Sequence, residues 1–288
     1  MTPREHLLEG ETAARRYALA VPRGGPVNRT GSTLGARAGS SLEFRDYRGY
    51  EPGDDLRHVD WNAYARTDQL SVKLFREEVS PHLDVLIDGS RSMALADSAK
   101  ARATLALAGF LTAAAANAGF SHAGWLLSAD AVPLGDRARR PDAWEAVRFE
   151  HRDSPVAAVG GVAARWRPRG VRVLLSDLLW DADPVPVVRQ LADRASSAVV
   201  LQVLAADDAD PPPGGHLRLI DSETDAVREV RVDAAMAARY RANLQRLQGH
   251  WHDACRASGA VFAAVVAEDV LKDWRLDPLV AAGVLQVG

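Results

Sequence analysis

The chain has 288 residues, 47% of them hydrophobic, and a formal net charge of −3. That length allows one large α/β domain, or one domain with a smaller appendage, with ample material for a packed core. So small a net charge, with both signs mixed along the chain, gives no global reason to expect nucleic acid. A single cysteine, Cys255, excludes an intramolecular disulfide and any multi-cysteine metal centre. It fits a reducing compartment. With no nucleophile's setting around it, it reads as an inert thiol on a helix.

Residues 1–20 read as a helix with Leu7, Leu8, Tyr17 and Leu19 for packing. Arg4, Glu5, Glu9, Glu11, Arg15 and Arg16 leave no apolar signal region there. Residues 21–41, rich in Gly, Pro, Arg and Ser, read as a loop. Their glycines lack the Gly-Lys-Ser/Thr ending of a phosphate-binding loop. Residues 42–66 are dense in charge and aromatics around a Pro52-Gly53-Asp54 turn. Arg45, Arg48, Arg57 and Arg66 match Asp46, Asp54, Asp55 and Asp60 in number. That balance predicts a paired network that keeps the acids ionised, rather than carboxylates tuned for proton transfer. Residues 70–75 alternate as a strand does.

The run Leu83-Asp84-Val85-Leu86-Ile87-Asp88-Gly89-Ser90-Arg91-Ser92-Met93 organises the chain. A short apolar run bounded by turn residues reads as a buried parallel strand. Its carboxyl end is where open α/β sheets bind ligands. Asp88, Ser90 and Ser92 are all oxygen donors, which suit a hard cation, Mg²⁺ first, with Mn²⁺ and Ca²⁺ as alternatives. The same residues are also ordinary helix caps.

Asp-x-Ser-x-Ser at a strand end resembles the metal-ion-dependent adhesion site of von Willebrand factor A domains. The wider pattern is more specific. Glu43-Phe44, Arg48, Tyr50, Pro52-Gly53-Asp54-Asp55, Arg57, Asp60-Trp61, Ala65-Arg66-Thr67, Leu70, Val72-Lys73 and then Asp88, Ser90, Ser92-Met93 resemble the bacterial domain-of-unknown-function family numbered 58. That resemblance implies a von Willebrand factor A-like α/β fold, with a Rossmann-type sheet and helices on both faces. It implies a MoxR-type AAA+ ATPase as partner. It also implies a metal held by the two serine hydroxyls, with the aspartate acting through water or by orienting the ligands. A threonine and an aspartate from later loops complete that site, and a partner's carboxylate takes the open position.

Residues 97–119 read as a long helix, and 121–128 and 131–134 as strands. Residues 103–118 are apolar but fall short of the roughly 20 residues that a membrane span needs. Arg137, Arg139 and Arg140 read as a solvated loop, and 141–149 as a helix. The loop of His151 to Pro155 holds no threonine; Ser154 is the substitute that the resemblance offers, and Ser154-Pro155 is equally a helix start. Residues 171–176 form a second apolar strand ending at Asp177, which matches the family's last metal-site position. A helix at 184–194 and a buried strand at 197–204 follow, then an acidic, proline-rich loop at 205–215. Residues 217–221 and 227–232 predict a hairpin, with Asp221, Glu223 and Thr224 as turn material. Residues 234–257 form a long helix on which His250 and His252 do not share a face. Residues 260–266 are the last strand and 278–285 a closing helix.

The expected layout is residues 1–82 as an N-terminal helix, loop and β appendage, and residues 83–288 as the von Willebrand factor A-like domain. The expected function is a non-enzymatic, cytoplasmic protein-interaction module without nucleic acid or membrane span. Its metal site would comprise Asp88, Ser90, Ser92, Asp177 and Ser154, and would engage a carboxylate-bearing client. Two other functions are open. One is a degenerate scaffold without metal. The other is a metal-dependent phosphohydrolase with Asp88 as nucleophile, although Ser90 stands where such enzymes carry a second aspartate.

Overall fold

The computed structural model describes residues 2–20, 42–77, 81–95, 98–135, 144, 147–152, 154–211, 215–222 and 224–287. Helix α1 (Pro3–Ala13) starts with a capping box. The Thr2 hydroxyl accepts the Glu5 N–H while the Glu5 carboxylate accepts that of Thr2. Strand β1 (Tyr17–Leu19) pairs antiparallel with the last strand of the chain.

Residues Gly24–Ser80 make a compact unit of their own. Its hairpin joins β2 (Leu42–Gly49) to β3 (Ser71–Glu77), with a register shift between Phe44 and Asp46. Helix α2 (Trp61–Thr67) lies between them in the chain. Asp60 caps α2 by accepting the N–H groups of Asn62 and Ala63. It also accepts the Tyr47 hydroxyl at 2.8 Å and lies 3.2 Å from the Lys73 ammonium. Arg48 grips Asp54 through two bonds, and Arg57 grips Asp55. These partners hold the acids down. The Arg57 guanidinium brings Asp55 to about 2, and the Ala63 N–H, with Tyr47 and Lys73, brings Asp60 to about 2. Two of the expected arginine–carboxylate pairs are therefore present, while Asp60 takes Tyr47 and Lys73 instead, Arg66 donates to the Asn62 carbonyl, and the side chains of Arg45 and Asp46 lie outside the described residues.

The second unit is built on a six-stranded sheet. In chain order come β4 (His82–Asp88), α3 (Lys100–Asn117), β5 (Ser121–Leu127), β6 (Ala131–Pro133), α4 (Val156–Ala163) and β7 (Val171–Ser176). Next come α5 (Pro184–Ala192), β8 (Ser197–Leu204), α6 (Ala206–Ala209), the hairpin β9 (Gly215–Ile220) and β10 (Val227–Val232), and α7 (Ala234–Ala257). The chain closes with β11 (Val261–Val266), α8 (Ala267–Asp273), α9 (Asp277–Ala281) and β12 (Leu285–Val287). The sheet order is β11-β8-β7-β4-β5-β6, parallel except for β6 at its edge. The strand order reverses between β4 and β7. That is the switch point of a doubly wound sheet, and the arrangement is von Willebrand factor A-like.

Successive residues of β4 point to opposite faces. Leu83, Val85 and Ile87 join the core under α1, α3 and α8. Leu86 joins the core under α4, α5 and α7, with Trp251 at its centre. Every residue of β4 is buried, which is why the strand reads as an unbroken apolar run.

Two expectations change. Residues 2–20 belong to the α/β unit rather than to the appendage, because α1 packs on α3. Gly10 and Gly109 permit this contact: a Cβ on Gly10 would strike the Ala106 carbonyl oxygen, and one on Gly109 that of Leu7. The closing helix is confined to α9, and Leu285–Val287 instead forms β12, a strand that β1 completes. The helix expected over 141–149 and the cluster of Arg137, Arg139 and Arg140 fall largely outside the described residues.

Candidate metal and partner docking site at the strand switch point

Strands β4 and β7 end side by side, Ile87 opposite Leu175, so Asp88 and the Ser176-Asp177 pair meet at the switch point. Gly89 continues β4 against β5, donating its N–H to the Leu127 carbonyl at 2.8 Å. A Cβ there would lie 2.7 Å from that carbonyl oxygen, so the position requires glycine. Residues 91–94 then wind into a 3₁₀ turn, which places Ser90 and Ser92 together, with hydroxyls 3.0 Å apart.

Asp88 is fully buried beneath this pair. One carboxylate oxygen accepts the Ser90 N–H at 2.9 Å. The other accepts the Ser176 hydroxyl at 2.5 Å and the Trp180 indole N–H at 2.9 Å. All three donors are neutral. Burial, and after it the nearby charge of Asp177, pushes the Asp88 carboxyl above its ordinary value.

Asp177 is also fully buried, but it has a cation. The Lys100 ammonium, 1% exposed at the start of α3, lies 3.0 Å from Asp177 and 2.8 Å from Asp208. The two carboxylates hold the lysine above its ordinary value against a desolvation that acts the other way. Gln202, buried on β8, donates to the Asp177 carbonyl at 2.8 Å, and Gln248 of α7 donates to Gln202 at 2.9 Å. Leu178, directly after Asp177, takes a left-handed φ of 57°. Such strain in a leucine persists only where the surroundings fix it. Here the Leu178 N–H is bound to the Ser176 hydroxyl at 2.9 Å.

The structure thus gathers Asp88, Ser90, Ser92 and Asp177 at one place. Ser154 is exposed, and its hydroxyl accepts the Val156 N–H at 3.5 Å, a helix-start contact. Its loop is nevertheless tied to the site, since His151 exchanges backbone hydrogen bonds with Gly89 and Arg91. Sequence reasoning missed Lys100, Trp180 and Asp208. A signal existed for the first: Lys100 and Arg102 are the only charges across an otherwise apolar helix. Trp180 and Asp208 carry no local mark.

For a hard cation, the serine hydroxyl separation matches that of neighbouring ligands around an octahedral ion with bonds of about 2.1 Å. Asp88 adds a buried negative charge behind them. Among the described residues, no three His, Cys, Asp or Glu side chains lie together as a metal cluster. A cation here would therefore rest on hydroxyls, water and an outside carboxylate. On that donor chemistry the residues fit Mg²⁺. Cys255 plays no part; burial pushes its thiol up to about 12.

The match to the family model "Protein of unknown function DUF58" covers residues 46–250. The chain belongs to that family. An uncharacterized protein of Mycobacterium tuberculosis is 27% identical over 263 residues, spanning 86% of this chain and 80% of that one. An uncharacterized Mycobacterium bovis protein matches to the same degree. Among solved structures, BatB from Bacteroides thetaiotaomicron is similar at 10% identity and a TM-score of 0.38, covering 69% of this chain and 97% of that one. A von Willebrand factor type A protein from Catenulispora acidiphila aligns at 10% identity and 0.35, covering 73% and 44%. The fold assignment rests on the strand order itself. Among the described residues no helix is long and apolar enough to cross a membrane.

Proposed function

We propose that this DUF58 chain is a non-enzymatic docking module whose strand-end site presents a divalent cation to a partner's carboxylate. The observation that carries this reading is the Ser90–Ser92 hydroxyl pair, 3.0 Å apart over a buried Asp88 whose donors among the described residues are neutral. Ser90 and Ser92 would hold Mg²⁺, and Asp88 would orient them and balance its charge. When bound, the ion would supply a Lewis-acidic point for an Asp or Glu of the partner. By the family resemblance, that partner side includes a MoxR-type AAA+ ATPase, and the pair would remodel or assemble a client protein. A cytoplasmic setting agrees with the single, buried cysteine. The non-enzymatic reading is supported by Ser90, which occupies the second-aspartate place of a phosphotransferase.

A second reading, a scaffold that works without metal, is favoured by one observation. Lys100 already neutralises Asp177, the residue expected to complete the metal site. Calorimetric titration with Mg²⁺ and Mn²⁺, on wild type and Asp88→Ala, separates the two. The docking reading expects saturable binding that the variant loses. Absence of binding, both alone and with a MoxR-type AAA+ ATPase present, would leave the scaffold reading.

A further inference from the structure

We propose that Arg91 and Arg152 form a carboxylate-binding point on the rim of this site, occupied here by the chain's own Asp225, and that a partner's acidic segment takes the place of Asp225. The proposal deepens the docking reading and rests on it for the site's identity. Arg91 stands between the two serines. Its N–H donates to the His151 carbonyl at 2.8 Å, and the His151 N–H donates to that of Gly89 at 3.1 Å. Arg152, next in the chain, is thereby fixed beside Arg91. The two guanidiniums close on one carboxylate: Arg91 Nη1 is 3.1 Å from one oxygen of Asp225, and Arg152 Nη1 is 2.8 Å from the other.

Asp225 is presented by a formed turn at the tip of the β9–β10 hairpin. It has a left-handed φ of 59°. Its N–H donates to the Asp221 carbonyl at 3.0 Å, and the Asp221 carboxylate accepts the Thr224 N–H at 2.8 Å. The Arg152 hydrogen bond, with the charge of Arg91, holds the Asp225 carboxyl below its ordinary value, so it remains an anion. The pairing is nonetheless exchangeable. All three side chains are 34–54% exposed, and exposed ion pairs are weak. Strands β9 and β10 pair with each other and lie outside the main sheet, a construction that is marginal alone. Leu219, Ile220 and Val227 flank the tip with exposed apolar surface, which would meet the same partner.

The test uses the full chain and a fluorescein-labelled glutamate–glycine repeat peptide, followed by anisotropy in EDTA and in excess Mg²⁺. A glutamine–glycine peptide is the control. In EDTA, Asp225→Asn should bind about three- to tenfold more tightly than wild type, the scale of two exposed ion pairs. Arg91→Gln with Arg152→Gln should abolish that binding, in the wild-type and the Asp225→Asn background alike. An Asp225→Asn chain that binds no more tightly, or arginine variants that bind undiminished, overturn the proposal. Excess Mg²⁺ should add a further increment that Asp88→Ala removes. If that increment is missing while the arginine effects hold, the metal reading fails and the acidic-segment proposal stands.

Discussion

Asp84 and Asp88 share strand β4. Both are buried, and each accepts an indole N–H, from Trp125 at 2.8 Å and from Trp180 at 2.9 Å. At the amino end, Asp84 lies across the β4–β7 ladder from Arg172 and 3.5 Å from His82. Arg172 is itself spanned by carbonyls, donating to Leu191 at 2.7 Å and Asp193 at 2.6 Å, and it stacks on the Trp166 ring. At the carboxyl end, Asp88 meets an amide, a hydroxyl and an indole. At the amino end Arg172, held by those carbonyls, braces the sheet and sets a charge opposite Asp84. The other end leaves a carboxylate that an external cation can balance. The same residue type, on the same strand, faces a cation or meets only neutral donors among the described residues, according to what the neighbouring strand and loop bring to it.

The largest effect should come from opening the brace. Arg172→Met strands the carbonyls of Gln190, Leu191 and Asp193 and removes the charge facing Asp84, and should cost about 3–5 kcal/mol, measured by urea unfolding. A loss under about 1 kcal/mol would show that Asp84 does not depend on Arg172. Next, Lys100→Met makes the carboxyl end of the sheet more anionic by releasing Asp177. The expected loss is about 2–3 kcal/mol, and Mg²⁺ should restore part of it. An unfolding midpoint that ignores Mg²⁺ in this variant would count against a cation at the site.

A third test uses pH. Burial and the charge of Asp177 raise Asp88 above 3.8, its ordinary value. The folded chain therefore holds that proton more tightly than the unfolded one. The destabilisation from Asp88 is complete above its folded pKa and fades as the pH falls towards the unfolded value. In EDTA, wild type should gain stability relative to Asp88→Ala on acidification, and the gain should vanish with Mg²⁺ bound. A difference independent of pH refutes the unbalanced charge. The smallest effect on stability belongs to Ser92→Ala, within about 0.5 kcal/mol. That variant should still lose the calorimetric Mg²⁺ signal; if it binds as wild type does, Ser92 is not a ligand.

Much of this comparison was legible before the fold. Strands β4 and β7 announce themselves because a strand buried on both faces has no alternation to preserve. Their terminal Asp88 and Asp177 follow directly. The Arg48–Asp54 and Arg57–Asp55 pairs were readable from the matching numbers of arginines and acids in one short block, whereas Asp60 took a tyrosine and a lysine that the count did not include. Ser154 was left between two roles; its hydroxyl accepts the Val156 N–H at 3.5 Å, while the N-cap of α4 is Pro155. The placement of residues 1–20 was misjudged, because an amphipathic helix shows that it has a face to bury but not against what.

Local pattern dictated the strands of the six-stranded sheet, the long helices, the hairpin and the Asp-x-Ser-x-Ser turn, since periodicity and turn chemistry act over a few neighbouring residues. Tertiary structure alone decided which charges are balanced. Lys100 reaches Asp177 and Asp208, Arg172 stands opposite Asp84, and Arg91 and Arg152 close on Asp225, all across long stretches of chain. Electrostatic energy depends on distance and burial in space, and neither is written in the order of the residues.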